Sequence, residues 1–212
     1  GKKALNFGYE RLNGKHLVLC RADATTTAVK LPGVTTVIAV VSPHSGATSM
    51  VGPWDGKDPA GTGALSRMDV RGRDGRSLTE LWGKDIRSTL GLQVHGFPNL
   101  FTVAGPLAPS TAFCNMTTCL QQQVDWVMNC ITWLRANGRQ AIEPTLEREN
   151  EWVRHHDEVA NSTLLMRTKS WYTGDNIEGK PRRLLSYIGG VGNYRKICDE
   201  VQASGYLGFA VA

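Results

Sequence analysis

The sequence predicts an α/β fold, and three patterns carry that expectation. Short apolar runs at Leu17–Cys20, Val37–Val41 and Leu100–Ala104 have the length and composition of buried strands. Between Met116 and Leu134, apolar residues recur every three or four positions, which is the period of a helix with one buried face. A second helical segment runs from about Thr145 to Ala160, where Thr145 supplies a cap and Glu147, Glu149 and Glu151 favour the positive end of the helix dipole.

The remaining elements follow in chain order. Ser42 to Gly63 is a Gly/Pro/Ser/Thr stretch without an apolar period and is expected to be a loop. Met68–Gly72 reads as a strand followed by an Asp74-Gly75 turn, because Asp-Gly accepts the positive φ that such a turn needs. The run at Leu100–Ala104 is entered through Phe97-Pro98-Asn99 and stopped by Gly105-Pro106. Asn115 is placed to cap the long helix, and Asn137-Gly138 to end it. Leu184–Ile188 is read as a strand, Gly189-Gly190 as a turn, and Asn193–Ala203 as a last helix with Tyr194, Ile197, Cys198 and Val201 on one face.

Composition narrows the function. The chain has 212 residues and 41% hydrophobic content, enough for one large domain or two small ones with a true core. Its net charge of +5 is scattered, without the dense basic stripe of a nucleic-acid binder, so an anionic small molecule is the expected basic-site partner. No apolar run is long enough to span a bilayer, and Gly1-Lys2-Lys3-Ala4-Leu5 lacks a secretory leader, which together predict no membrane partner and a cytoplasmic location. Cys20, Cys114, Cys119, Cys130 and Cys198 include no CxxC pair and are expected to be reduced, mostly buried thiols. His155-His156 beside Asp157 and Glu158 is read as a solvated helix face, since neighbouring helical side chains diverge too far to share one metal ion.

Longer motifs then resemble a known family. His95-Gly96-Phe97-Pro98-Asn99-Leu100-Phe101, Gly105-Pro106, Pro109-Ser110, Asn115-Met116 and Gln123-Val124-Asp125-Trp126 are similar to the flavin-side segment of cyclohexanone- and phenylacetone-type Baeyer–Villiger monooxygenases. Lys169–Ile177 with Gly179-Lys180-Pro181-Arg182, Tyr187–Arg195, and a final strand at Gly205–Phe209 resemble the same family's C-terminal motifs in the same order. The resemblance implies the C-terminal part of a two-dinucleotide-binding-domain flavoprotein monooxygenase: an incomplete Rossmann-like FAD domain over 61–212, with 1–60 a poorly matched tail of the NADP domain or a divergent linker. Neither a GxGxxG phosphate loop nor the family's Phe/His/Trp fingerprint occurs, and Glu178 stands where the family commonly has proline.

What the resemblance implies for function is ketone oxidation to an ester or lactone with O2, FAD and NADPH, in which the cofactors carry the reactive atoms and the protein supplies placement and charge control. By resemblance, Gly105, Pro106, Asn115 and Met116 lie on the flavin side and Trp171 contacts the nicotinamide cofactor, while Lys180 is expected to meet cofactor phosphate. Ser110, Thr111, Ala112 and Phe113 form a wall of the ketone pocket. No residue is assigned as catalytic and no metal is expected. The partner required is an N-terminal flavin-binding half, and the chain alone is expected to be inactive. The alternative is a non-catalytic fragment or interaction module that keeps only the fold elements.

Overall fold

Two sheets organise the computed structural model, which describes residues 70–109, 114–167, 171–173 and 182–212 and the backbone of 11–12, 16–19 and 36–40. The larger has the order β1 (Arg11–Leu12), β2 (His16–Leu19), β3 (Thr36–Val40), β4 (Leu100–Val103). β1 and β2 are antiparallel, whereas β2, β3 and β4 run parallel, with Val37 opposite Leu100 and Val40 opposite Val103. Parallel neighbours need long crossovers and burial on both faces. β4 meets that demand: all four of its residues are buried. The predicted strands at Leu17–Cys20 and Val37–Val41 therefore appear, each one residue earlier, while Ser42 to Gly63 lies outside the described residues. The smaller sheet pairs β5 (Ile142–Pro144) antiparallel to β6 (Phe209–Val211). β6 starts later than the expected Gly205–Phe209 strand, because Gly205, Tyr206 and Gly208 all have positive φ and form a turn.

Among the described residues, four α-helices pack around these sheets. α1 (Leu78–Lys84) begins at Ser77, whose side chain accepts a hydrogen bond from the Glu80 amide, and it buries Leu78 and Trp82. The Ser77-x-x-Glu80 spacing of a capping box was its available sequence signal. α2 (Met116–Ala136) is capped by Asn115 through Thr118 N at 3.2 Å, and it stops at Asn137 before Gly138, whose φ is 64°. α3 (Leu146–Asn161) is capped by Thr145 through Arg148 N at 3.2 Å. α4 (Val191–Ala203) follows Gly190, which has φ 87°, and buries Tyr194, Cys198 and Val201 while Ile197 is half-buried. Asp74 and Gly75 adopt the positive φ expected of their turn, and Arg71 pairs with Ser77 across it.

Four expectations change. Of the expected Met68–Gly72 strand, the described residues 70–72 form only an isolated bridge at Arg71. Val124 and Met128, placed on the buried face of the long helix by spacing, are exposed, and the buried stripe instead runs through Cys119, Gln123, Trp126 and Cys130. The rotation lets Gln123 Oε1 accept the Ala104 amide at 2.7 Å, a polar contact that hydrophobic spacing does not register. Residues 184–188, of which Leu184, Ser186 and Tyr187 are buried, form no strand. Their backbone bonds go to separate places: Leu185 N to Tyr172 O, Tyr187 N to Ala108 O, and Leu107 N to Leu185 O, so no continuous ladder forms. His155 and His156 are not a solvated face. His155 Nε2 meets Tyr187 Oη at 3.0 Å, and His156 is buried with its ring between Asp157 and the Ser186 carbonyl.

The main core joins Phe101 and Val103 of β4, Trp126, Val127, Cys130 and Ile131 of α2, Trp152 of α3, and Tyr187, Tyr194 and Cys198. As expected from sequence, Trp82, Trp126 and Trp152 are packing residues; Trp133 is partly buried against the same core. No helix among the described residues is long and apolar enough to cross a membrane.

Candidate active site

The end of β4 builds the first part of the site. Beyond Val103 the chain turns back through Ala104 (φ 56°), Gly105, Pro106 and Leu107 (φ 68°), and residues 104–109 are buried. Such left-handed backbone at non-glycine residues needs outside support. Gln123 of α2 holds Ala104 N, Ser88 Oγ donates to Pro106 O at 2.6 Å, and Leu107 and Ala108 are bonded to the 185–187 segment. Gln123 and Ser88 are site-supporting residues that sequence reasoning did not single out. Gln123 falls within the Gln123-Val124-Asp125-Trp126 motif but was not given a role, and Ser88, between Arg87 and Thr89, carries no local signal in the sequence.

Gly105 is required by the chain's own packing. A Cβ there would overlap Thr102 Oγ1 and the Gly91 carbonyl, so this face of the backbone is already covered by protein. In a complete enzyme carrying this segment, Gly105→Ala is expected to cost about 1–3 kcal/mol through overpacking. A thermal melt within a degree of the parent would show that the turn can shift to accept the methyl group.

The second part is the start of α2. Asn115 Oδ1 occupies Thr118 N and Asn115 O occupies Cys119 N, leaving the Met116 and Thr117 amides without a partner inside the helix. Two amide donors at the positive end of a 21-residue helix suit an oxygen carrying negative charge. This donor set fits the oxygen-bearing side of a flavin ring. The Cys114 and Cys119 side chains are brought together across this helix start, with Cα atoms 6.8 Å apart, although nothing in their spacing resembles CxxC. Cys130 and Cys198 are free, buried and pushed up to about 12 by burial, which makes both inert.

The third part is a short helical turn at Trp171–Thr173, joined to the irregular segment 183–187 by Arg183 N to Thr173 O at 3.1 Å and Leu185 N to Tyr172 O at 2.9 Å. Arg183 forms a fork on Asp157 of α3, with Nε at 3.0 Å from Oδ1 and Nη2 at 3.1 Å from Oδ2. Its Nη1 also bonds Asp85 and, at 3.0 Å, the Ile86 carbonyl. Burial by itself raises the Asp157 carboxyl, but hydrogen bonds from His156 and Arg183, together with the charge on both, outweigh it and hold the group below its ordinary value. The network continues from Asp85 to Arg87, and from Arg87 Nε to buried Glu149 at 2.9 Å.

Among the expected site residues, the structure describes Gly105, Pro106, Asn115, Met116 and the backbone of Trp171. Ser110, Thr111, Ala112, Phe113, Lys180 and the Trp171 side chain lie outside the described residues. Gly105-Pro106 and Asn115-Met116 sit at the two ends of one connection, from the end of β4 to the start of α2, which is the place where open α/β sheets bind ligands. Among the described residues no group of three metal-ligating side chains is found.

An α/β scaffold with a ligand-ready helix start at a strand end is the class that fold and site define. No protein-family model matches the chain. It is 60% identical over 153 residues to acetone monooxygenase (methyl acetate-forming) of Gordonia sp. (strain TY-5), covering 72% of this chain and 29% of that protein. A Baeyer–Villiger monooxygenase of Pseudooceanicola batsensis is 35% identical over 144 residues, covering 68% of this chain and 26% of its own length. The solved structure of OTEMO in complex with FAD and NADP superposes with a TM-score of 0.64 at 36% identity, covering 71% of this chain and 27% of that one. The chain belongs to the Baeyer–Villiger monooxygenase family and has the fold of a C-terminal portion of its two-dinucleotide-domain flavoproteins. It spans under a third of the length of the relatives it matches.

Proposed function

We propose that this chain supplies the flavin-side and ketone-side walls of an enzyme that converts a ketone, O2, NADPH and a proton to an ester or lactone, NADP+ and water. The observation that carries the reading is the juncture of β4 and α2, where a buried, over-determined turn precedes a helix start with two amides free of intrahelical partners. The acetone monooxygenase relative supports it, because its name specifies oxygen insertion into a ketone to give methyl acetate. Residues 61–212 form the C-terminal part of the FAD domain in this reading, and β1–β3 of the first 60 residues share a sheet with its β4.

FAD and NADPH, when bound, would supply the electrons that activate O2, the source of the inserted oxygen atom. The chain's own residues do the placing. Met116 and Thr117 amides hold an oxygen of the flavin ring through the helix dipole, and Asn115 fixes that helix start. Gly105 and Pro106 present backbone on the flavin side, Trp171 and Lys180 face the nicotinamide cofactor, and Ser110 to Phe113 exclude water from the ketone and shape its pocket.

In a complete enzyme carrying this segment, product analysis with a ketone, NADPH and air is expected to give an ester or lactone. Within that enzyme, Phe113→Ala is expected to shift relative rates across cyclic and aryl ketones by removing apolar contact worth about 1–3 kcal/mol. FAD-loaded enzyme that forms no ester from any ketone contradicts the activity. An unchanged rate profile in the variant removes Phe113 from the pocket.

A further inference from the structure

The irregular segment 183–187 touches both candidate cofactor elements. It receives and donates backbone hydrogen bonds at Tyr172 and Thr173 of the Trp171–Thr173 turn, and at Leu107 and Ala108 of the loop that contains Gly105 and Pro106. Segment and turn are buried where they meet, with Thr173, Leu184 and Tyr187 essentially inaccessible. Because the segment lies in no ladder, its path depends on side-chain anchors at its ends. At the far end, the Tyr187 hydroxyl bonds His155 and Asn193. At the near end the anchor is Arg183.

That anchor is built for geometric accuracy. A planar guanidinium grips Asp157 with two hydrogen bonds, reaches Asp85 with Nη1, and donates again to a backbone carbonyl, so its orientation is fixed from two elements at once. Only 17% of the Arg183 side chain is exposed, and Asp85 is held in turn by Arg87. Asp157 belongs to α3, which is itself tied to the 85–95 region through Glu149, which accepts the His95 amide at 2.9 Å and the Arg87 guanidinium.

We propose that Arg183 is a positioning residue for nicotinamide-cofactor binding, fixing through Asp157 and Asp85 the segment that spaces the Trp171–Thr173 turn from the Gly105–Pro106 loop. The proposal rests on the cofactor reading given above. Arg183 acts through the backbone of Thr173 and Tyr172 and makes no contact with substrate or cofactor.

The test uses the complete flavoenzyme carrying this segment, with Arg183→Lys, Asp157→Asn and Trp171→Ala made singly. Lysine keeps the charge but cannot bond Asp157 bidentately while holding Asp85. For Arg183→Lys and Asp157→Asn the dissociation constant of NADP+, measured by isothermal titration calorimetry, and the KM for NADPH are expected to rise about tenfold. The change in kcat at saturating NADPH is expected to be much smaller. An Arg183→Lys enzyme that melts earlier yet binds NADP+ like the parent overturns the proposal and leaves Arg183 a plain brace. Weakened binding in Arg183→Lys beside normal binding in Asp157→Asn also overturns it, since Arg183 would then touch the cofactor directly. Trp171→Ala separates the layers: weaker NADP+ binding there, with Arg183→Lys unaffected, keeps the cofactor reading and removes the positioning role, whereas normal binding in all three variants removes both.

Discussion

Residues 1–212 expressed alone are expected to yield a colourless protein with no ketone-dependent oxidation of NADPH, and an N-terminal flavin-binding half supplied in trans is expected to restore both colour and turnover. The reason is the division of labour in dinucleotide binding. Much of the hold on FAD comes from a glycine-rich turn that brings backbone amides to the pyrophosphate at a helix N-terminus, and no GxGxxG occurs in this sequence. What the chain does offer is the start of α2 and the loop after β4, which address the ring side and leave the phosphates without a cradle. The visible spectrum and NADPH consumption of the purified chain, with and without the added half, check this. A yellow, active preparation of the chain alone contradicts it, while a complemented complex that binds flavin and never turns over favours a fragment that keeps the fold without the chemistry.

Trp126→Ala in the complete enzyme is expected to lose about 3–5 kcal/mol of stability. Trp126 is 2% exposed and sits where α2, α4 and the C-terminal turn converge. Its Nε1 donates to the Cys198 carbonyl at 3.1 Å, and its ring meets Tyr206 edge-on with centroids 5.5 Å apart. Alanine removes the packing, the ring contact and the donor together, in a site whose neighbours are themselves large and fixed. Trp126→Phe keeps most of the volume and loses the donor, so about 1–2 kcal/mol is expected for it. Denaturant titrations of the two variants decide the matter: equal losses would assign the effect to the hydrogen bond, and losses below about 1 kcal/mol in both would remove Trp126 from the stabilising core.

Several site features were legible because they are local. Asn115 and Thr145 cap their helices as their positions in the sequence imply, since a cap needs only a side chain and an amide three residues on. The Leu100–Val103 strand and its stop before Gly105-Pro106 are likewise written in a few adjacent residues. The buried face of α2 was not legible in the same way. Spacing treats Val124 and Gln123 by hydropathy, yet the helix turns Gln123 inward because the Ala104 amide, left unpaired by its positive φ, needs an acceptor there.

By itself the sequence determined the α/β class, the boundaries of α2 and α3 to within a residue, the order of the family's motifs and so the family, because each depends on neighbours in the chain. Tertiary structure alone decided the rest: that Cys114 and Cys119 lie side by side, that His156 is buried against Ser186 and Asp157, that 184–188 is an irregular splint, and that Arg183 joins Asp157 to Asp85. Arg183 lies 26 residues from one of these partners and 98 from the other. Buried charges and unpaired backbone groups must find partners wherever the fold brings them, and a contact across such a distance leaves no periodic trace in the sequence.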